Sequence, residues 1–184
     1  MSLETFEKPG DLYLARVDDV NPLRPLFTGD VVADVAIPGV QDGGMAVVVA
    51  HPCSMRGKDA RLEPRVLVAS VVERDKIGRA AWAKGNFGLM PLPDLLEVGK
   101  LWVARLDDIG KALTADIMAG VRVACLSPFG VNLLQQRFIW RLTPTSGRLR
   151  WTRRGGGSCC APLLRSARSG SRDPREVRRT AITR

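Results

Sequence analysis

The richest chemistry in this 184-residue chain is packed into one hexapeptide, His51-Pro52-Cys53-Ser54-Met55-Arg56. An imidazole two positions from a thiol, at the end of a central strand-like apolar run, offers a general base beside a nucleophile. Spacing argues the other way. Side chains at i and i+2 around a proline need not meet, and His51 is the only histidine, so no second base can serve. Catalytic groups are recognised by geometry rather than by adjacency. His51 and Cys53 are therefore candidate catalytic residues whose ordinary reading is a half-buried histidine and a small buried cysteine closing a strand.

The polar stretch that follows holds Arg56, Lys58, Arg61 and Arg65 among Asp59 and Glu63, and reads as an exposed loop with binding potential. Gln135, Gln136 and Arg137 form a second polar group, set in an apolar helical pattern. Their default role is to hydrogen-bond to a neighbouring strand, and the alternative is an exposed recognition surface. The neighbouring carboxylates Asp18-Asp19 and Asp107-Asp108 suit turns or caps. Gly85-Asn86-Phe87-Gly88 lacks the Lys-Ser/Thr that a phosphate loop needs. Cys53, Cys125, Cys159 and Cys160 contain no CxxC, and with one histidine they make no zinc ligand set. No cofactor or metal is expected, and the cysteines are expected to be reduced in a cytosolic protein.

The elements that must position these groups follow from periodicity. Five strands are expected: Val31–Ile37 with one wetter face, Met45–Ala50 buried on both faces, Val66–Val72, Leu101–Leu106 closed by Asp107-Asp108, and Val121–Leu126. The first two form a hairpin through the Asp42-Gly43-Gly44 turn. Residues 1–28 read as loop-rich, and residues 75–100 as irregular with a helical turn or two between Asp75 and Lys84. Thr114 is placed as the N-cap of a short helix stopped by Gly120. Ser127-Pro128 starts a longer helix running to about Leu142. Together these give an α+β fold: a small, strongly bent antiparallel sheet or SH3-like barrel with a C-terminal helix, followed by a disordered Arg-rich tail.

Charge divides the chain at residue 143. Residues 1–143 hold 17 Lys+Arg against 17 Asp+Glu, whereas residues 144–184 hold 11 Arg against Asp173 and Glu176, which is the whole net +9. The tail carries too little apolar surface to offset backbone ordering at about 1–2 kcal/mol per residue. It reads either as an arm giving salt-sensitive, sequence-blind nucleic-acid binding, or as a frame-shifted extension of a GC-rich gene, which would also yield Arg, Gly, Ser, Pro and Ala without Lys. No leader is expected at Met1–Gly10, and no run approaches the roughly 20 apolar residues of a membrane span. A cytoplasmic protein with no membrane partner is expected.

The order of pieces carries a resemblance. Gly29-Asp30-Val31 opens a strand, and a long turn leads to Val47-Val48-Val49-Ala50-His51-Pro52-Cys53. Met90-Pro91-Leu92-Pro93, a strand ending Leu106-Asp107, and Leu126-Ser127-Pro128 before a helix with Leu133, Leu134 and Arg137 follow. Over residues 26–143 this resembles the bacterial MazF/PemK-like small-barrel proteins, in particular a branch whose second strand ends in a Cys-containing motif. The resemblance implies a barrel, a bacterial toxin–antitoxin setting and RNA as the group's substrate. Toxins of the group have Arg or Pro leading into the second strand and Thr-Ser after the third. Here those places read Met45-Ala46 and, after Ser70, Val71-Val72, so no cleavage residue carries over. The expectation is a binding or regulatory module with no catalytic site, its partner a protein or RNA. The alternatives are a toxin-like endoribonuclease and a nucleic-acid tether working through the tail.

The composition break predicts that the domain folds without the tail. A chain ending at Thr143 should keep the full-length thermal midpoint within about 2 °C, and a fall of about 10 °C in a melting experiment would place the boundary wrongly.

Overall fold

Residues 4–37, 44–75, 82 and 87–142 are described by a computed structural model. The expected tail disorder, the Asp42-Gly43 turn, most of the turn between Asp75 and Lys84, and Gly85-Asn86 of the Gly85–Gly88 piece lie outside the described residues.

Among the described residues, seven strands form one sheet: β1 (Tyr13–Arg16), β2 (Asp30–Val35), β3 (Gly44–Val48), β4 (Arg65–Arg74), β5 (Leu89–Pro93), β6 (Leu101–Leu113) and β7 (Val121–Leu126). Their spatial order is β1-β7-β2-β3-β4-β6-β5, with every neighbour antiparallel. The sheet curls into a half-barrel. The helices are α1 (Pro52–Met55), α2 (Thr114–Ala119) and α3 (Pro128–Leu142). The architecture is the expected α+β one, with a helix following the last strand.

Each face of the sheet buries its own core, because side chains alternate along a strand. On one face Val31, Val47, Ala69, Val71, Ala104, Leu106 and Ala124 pack with Leu133 and Leu134 of α3. On the other, Val32, Ala46, Val48, Val66, Val68 and Ala112 are covered by Leu26, Met55 of α1 and Ile117 of α2. Two covered faces explain the near-continuous apolar runs of β3 and β4. In β2 the expected wetter face shrinks to half-buried Ala33 and exposed Asp34, since Asp30 through Val32 are all buried.

Two strands were not expected. The piece containing β1 is too short to show periodicity by itself, and it is defined by pairing with β7. In β5, Pro91 and Pro93 read as breakers, yet among the described residues β5 is an edge strand paired with β6 alone, where a missing N–H can face away from the ladder. The third difference is at Asp107-Asp108, expected to close a strand. β6 runs on to Leu113, with Leu106, Asp107 and Asp108 inserted as a bulge between the Ser70–Arg105 and Ala69–Ile109 pairs. Asp108 accepts the Ser70 hydroxyl at 2.9 Å and lies 3.5 Å from Arg105, so the acidic pair re-aims the strand instead of ending it.

The two edge strands are joined by side chains. The Tyr13 hydroxyl donates to the Pro93 carbonyl at 2.9 Å, and an Arg16 guanidinium N–H donates to the Asp94 carbonyl. Burial drives the Tyr13 phenol pKa far upward, consistent with a hydroxyl that stays protonated as a donor.

α3 begins as expected: the Ser127 hydroxyl oxygen accepts the Gly130 N–H at 3.1 Å and itself donates to the Asp11 carbonyl at 2.6 Å. In α2 the cap differs. Leu113 is the N-cap, and Thr114 turns its hydroxyl to the Glu63 carbonyl. Gly120 ends α2 as expected, its N–H bonded to Asp116.

Gly130 sits inside α3, where alanine would gain about 1 kcal/mol of helix propensity. A Cβ there would press into the Leu12 carbonyl oxygen and stand 3.2 Å from the Leu126 side chain. Gly130→Ala should therefore lower stability by about 1–3 kcal/mol in denaturant unfolding, and a gain would mean that α3 does not seat on the Pro9–Leu12 turn as described.

Candidate functional site

The hexapeptide is held at the exit of β3. Backbone pairing changes there: the Val49 and Ala50 N–H groups both donate to the Leu67 carbonyl, at 3.1 and 3.2 Å. Pro52 occupies the first turn of α1, where its missing N–H costs nothing. His51 is the N-cap, with Nδ1 accepting the Cys53 N–H at 3.2 Å. Its carbonyl accepts the Ser54 hydroxyl and the Ser54 and Met55 N–H groups. Met55 anchors the turn in the core at 1% exposure.

This geometry corrects the expectation for both candidate catalytic residues. Cys53 is exposed, not a buried packing residue, and His51 is exposed, not half-buried. The apolar run before them ends at Ala50, and the one-turn helix turns both outward. The imidazole meets the Cys53 backbone N–H, so Nδ1 acts as a helix cap.

The basic segment lies against the same turn. Arg56 bridges to Leu62, and the Glu63 N–H donates to the Met55 carbonyl at 2.9 Å. Between them the Gly57 N–H donates to Arg61 and the Ala60 N–H to Gly57, with Ala60 in the left-handed region at φ 61°. Asp59 accepts the Arg61 N–H at 3.2 Å and lies 3.5 Å from its guanidinium. Arg56, Lys58, Arg61 and Arg65 are all exposed. The structure thus brings His51, Cys53, Arg56, Lys58, Arg61 and Arg65 to one hydrogen-bonded edge of the domain, as a mixed-charge surface with a cationic excess.

Gln135, Gln136 and Arg137 are elsewhere, on α3. The glutamines are half-buried. Arg137 is buried at 2% exposure, with its guanidinium N–H groups donating to the Trp82 carbonyl at 3.0 Å and the Leu89 carbonyl at 3.3 Å. Burial lowers its pKa to about 10, which leaves it charged at neutral pH. It ties α3 to the segment entering β5, so the exposed-recognition alternative fails for Arg137.

One polar centre was absent from the sequence reading. Asp30 opens β2 and is fully buried. It accepts the Phe27 N–H at 2.9 Å and an Arg24 N–H at 3.1 Å, and lies 3.5 Å from the Arg122 guanidinium. The Cys125 thiol is beside it. Burial raises the Asp30 pKa despite these partners, and burial followed by the Asp30 charge raises that of Cys125. Gly29-Asp30 was legible only as a strand opening; nothing local signals that Arg24 and Arg122 converge on it. Among the described residues no group of three or more His, Cys, Asp or Glu could hold a metal ion, and no helix is long and apolar enough to cross a membrane.

Two outcomes follow from this geometry. Asp30→Asn leaves two largely buried guanidiniums facing a neutral group and should cost about 3 kcal/mol in denaturant unfolding; a change under about 0.5 kcal/mol would mean that Asp30 does not compensate the charges of Arg24 and Arg122. In the native protein a thiol reagent should modify Cys53 within the time that leaves Cys125 intact, and site-mapped mass spectrometry showing equal rates would overturn the placement of Cys53 at the surface.

No protein-family model and no curated protein sequence matches this chain, so its site is read from its own chemistry.

Proposed function

We propose that this protein is a small non-enzymatic binding module of the bacterial MazF/PemK-like kind, a regulatory protein whose partner is another protein. The observation that carries this reading is the edge built from α1 and residues 56–65. Its turn is satisfied by its own backbone hydrogen bonds, and it presents Arg56, Lys58 and Arg61 beside Asp59. Interleaved charges of both signs on a firm turn favour a partner of complementary pattern over a uniform phosphate backbone. The balanced charge of residues 1–143 supports the same choice, because that part of the chain lacks the broad positive field that draws nucleic acid.

A second reading, a toxin-like endoribonuclease, is favoured by one observation. An exposed imidazole and an exposed thiol flank a loop with four basic side chains. In that reading His51 would serve as acid or base and the arginines would hold RNA phosphates.

The full chain and an Arg56→Glu/Arg61→Glu variant separate the readings. A protein partner recovered with the native chain should be lost with the variant. Oligonucleotide binding, which rests on the arginines of residues 144–184, should persist in both and fall steeply with salt. Single-stranded RNA should remain intact. Sequence-selective cleavage that disappears in His51→Ala would replace the binding-module reading with the endoribonuclease one.

A further inference from the structure

The His51–Arg65 edge closes on itself through its own backbone hydrogen bonds, and at the point where it leaves the sheet it is also held from outside. Residues 24–30 cross the end of the sheet as a strap and are bonded on three sides. Toward β7, an Arg122 N–H donates to the Arg24 carbonyl at 2.7 Å, and the Leu126 N–H donates to the Gly29 carbonyl at 3.0 Å. Toward β3, the Gly29 N–H donates to Val48 at 2.8 Å. Into the core, Leu26 is 2% exposed and belongs to the same cluster as Ala50 and Met55. Gly29 permits so close a passage: its φ is +85°, and a Cβ there would stand 2.9 Å from both Leu126 and Val131 side-chain atoms.

One bond of this strap reaches the candidate site. Thr28 is buried at 1% exposure, and its hydroxyl donates to the Ala50 carbonyl, the residue before His51. At Ala50 the regular β3–β4 ladder has ended. The β3–β4 register ends at the Val48–Val68 pair, and beyond it Val49 and Ala50 share the Leu67 acceptor. A carbonyl at such a position, buried and past the ladder, needs a donor from elsewhere. Thr28 supplies it, and Asp30 in turn holds the strap through the Phe27 N–H. The chain of bonds therefore runs from Asp30 through the strap to Thr28, then to Ala50 and the His51 cap.

From this geometry we infer that Thr28 is the positioning residue of the His51–Arg65 edge: its hydroxyl fixes the Ala50 carbonyl and so sets the direction in which His51, Cys53 and the basic loop leave the sheet. Its importance for binding rests on the reading of that edge as the partner surface, whereas the coupling itself does not. Loss of the hydroxyl should loosen α1 while the sheet far from it stays intact.

The test uses the full chain, whose single histidine gives one imidazole signal set. Thr28→Val keeps the shape and removes the donor, and Thr28→Ser keeps the donor and removes the methyl. With Thr28→Val, the Ala50 and Met55 amides should exchange about tenfold faster, the loss of one buried hydrogen bond. The His51 imidazole resonances should shift, while β5 and β6 amides keep native rates. Thr28→Ser should restore both signals. Native exchange and an unmoved His51 resonance in Thr28→Val would overturn the inference, as would a Thr28→Ser protein that behaves like Thr28→Val. Should Thr28→Val fail to fold, the native protein decides. A hydroxyl proton of Thr28 protected from solvent exchange supports the bond, and a rapidly exchanging one removes it. Failure to recover any protein partner would remove the functional reading and leave these spectroscopic outcomes standing.

Discussion

A buried carboxylate at the start of the second strand fixes how this fold is assembled. At Asp30 the strap that leads into β2, through Arg24 and Phe27, meets the distant strand β7, through Arg122. Taking a carboxylate out of water costs several kcal/mol, and two guanidiniums plus one backbone N–H offset that cost only while all of them are in place. Burial still raises the Asp30 pKa. Such a centre adds little net stability compared with an apolar filling, but it tolerates no other arrangement. A slip of β2 against β7 would take the charge away from Arg122 and leave it only the local Arg24 and Phe27 N–H partners. Here it is the register, more than the depth of the free-energy well, that depends on Asp30.

Arginine solves a related problem at several other places. Where a β-ladder stops or two segments meet without pairing, carbonyls are left without donors, and a planar guanidinium can reach two at once. Arg16 donates to the Asp94 carbonyl across the gap between β1 and β5. Arg122 donates to Arg24 in the strap, Arg137 to Trp82 and Leu89 beneath α3, and Arg56 to Ala60 in the basic turn. In each of these places the guanidinium meets a carbonyl as a donor, whatever else its charge does. Arg137 is buried at 2% exposure and its guanidinium N–H groups donate to carbonyls, so counting it toward a binding surface would misjudge the molecule.

The sequence disclosed the parts of the fold that local patterns encode. Uninterrupted apolar runs marked β3 and β4, and Ser127-Pro128 marked the start of α3. The parts it hid depend on pairing between distant residues. β1 is a strand because β7 lies beside it, and β5 is one despite two prolines because it sits at an edge. The bulge at Leu106–Asp108 looks in sequence like a terminator, since acidic residues favour turns. Only the register of β4 against β6 reveals that the chain resumes the ladder afterwards.

The candidate site divides along the same line. That residues 56–65 are exposed and basic was legible from composition, because nothing apolar enough to bury them is present. The exposure of His51 and Cys53 was not legible, since an apolar run leading into a cysteine reads as a strand continuing into the core. What reverses it is Pro52. Proline at the first helical position closes the strand and starts a one-turn helix whose buried residue is Met55, three positions on. With Met55 buried and Pro52 half-buried on the same face, the intervening Cys53 and Ser54 face outward, and Thr28 holds the strand terminus from which the turn leaves. The chemistry at the surface thus depends on a proline that local sequence shows and on a hydroxyl 22 residues upstream of its acceptor, which no local pattern connects to it.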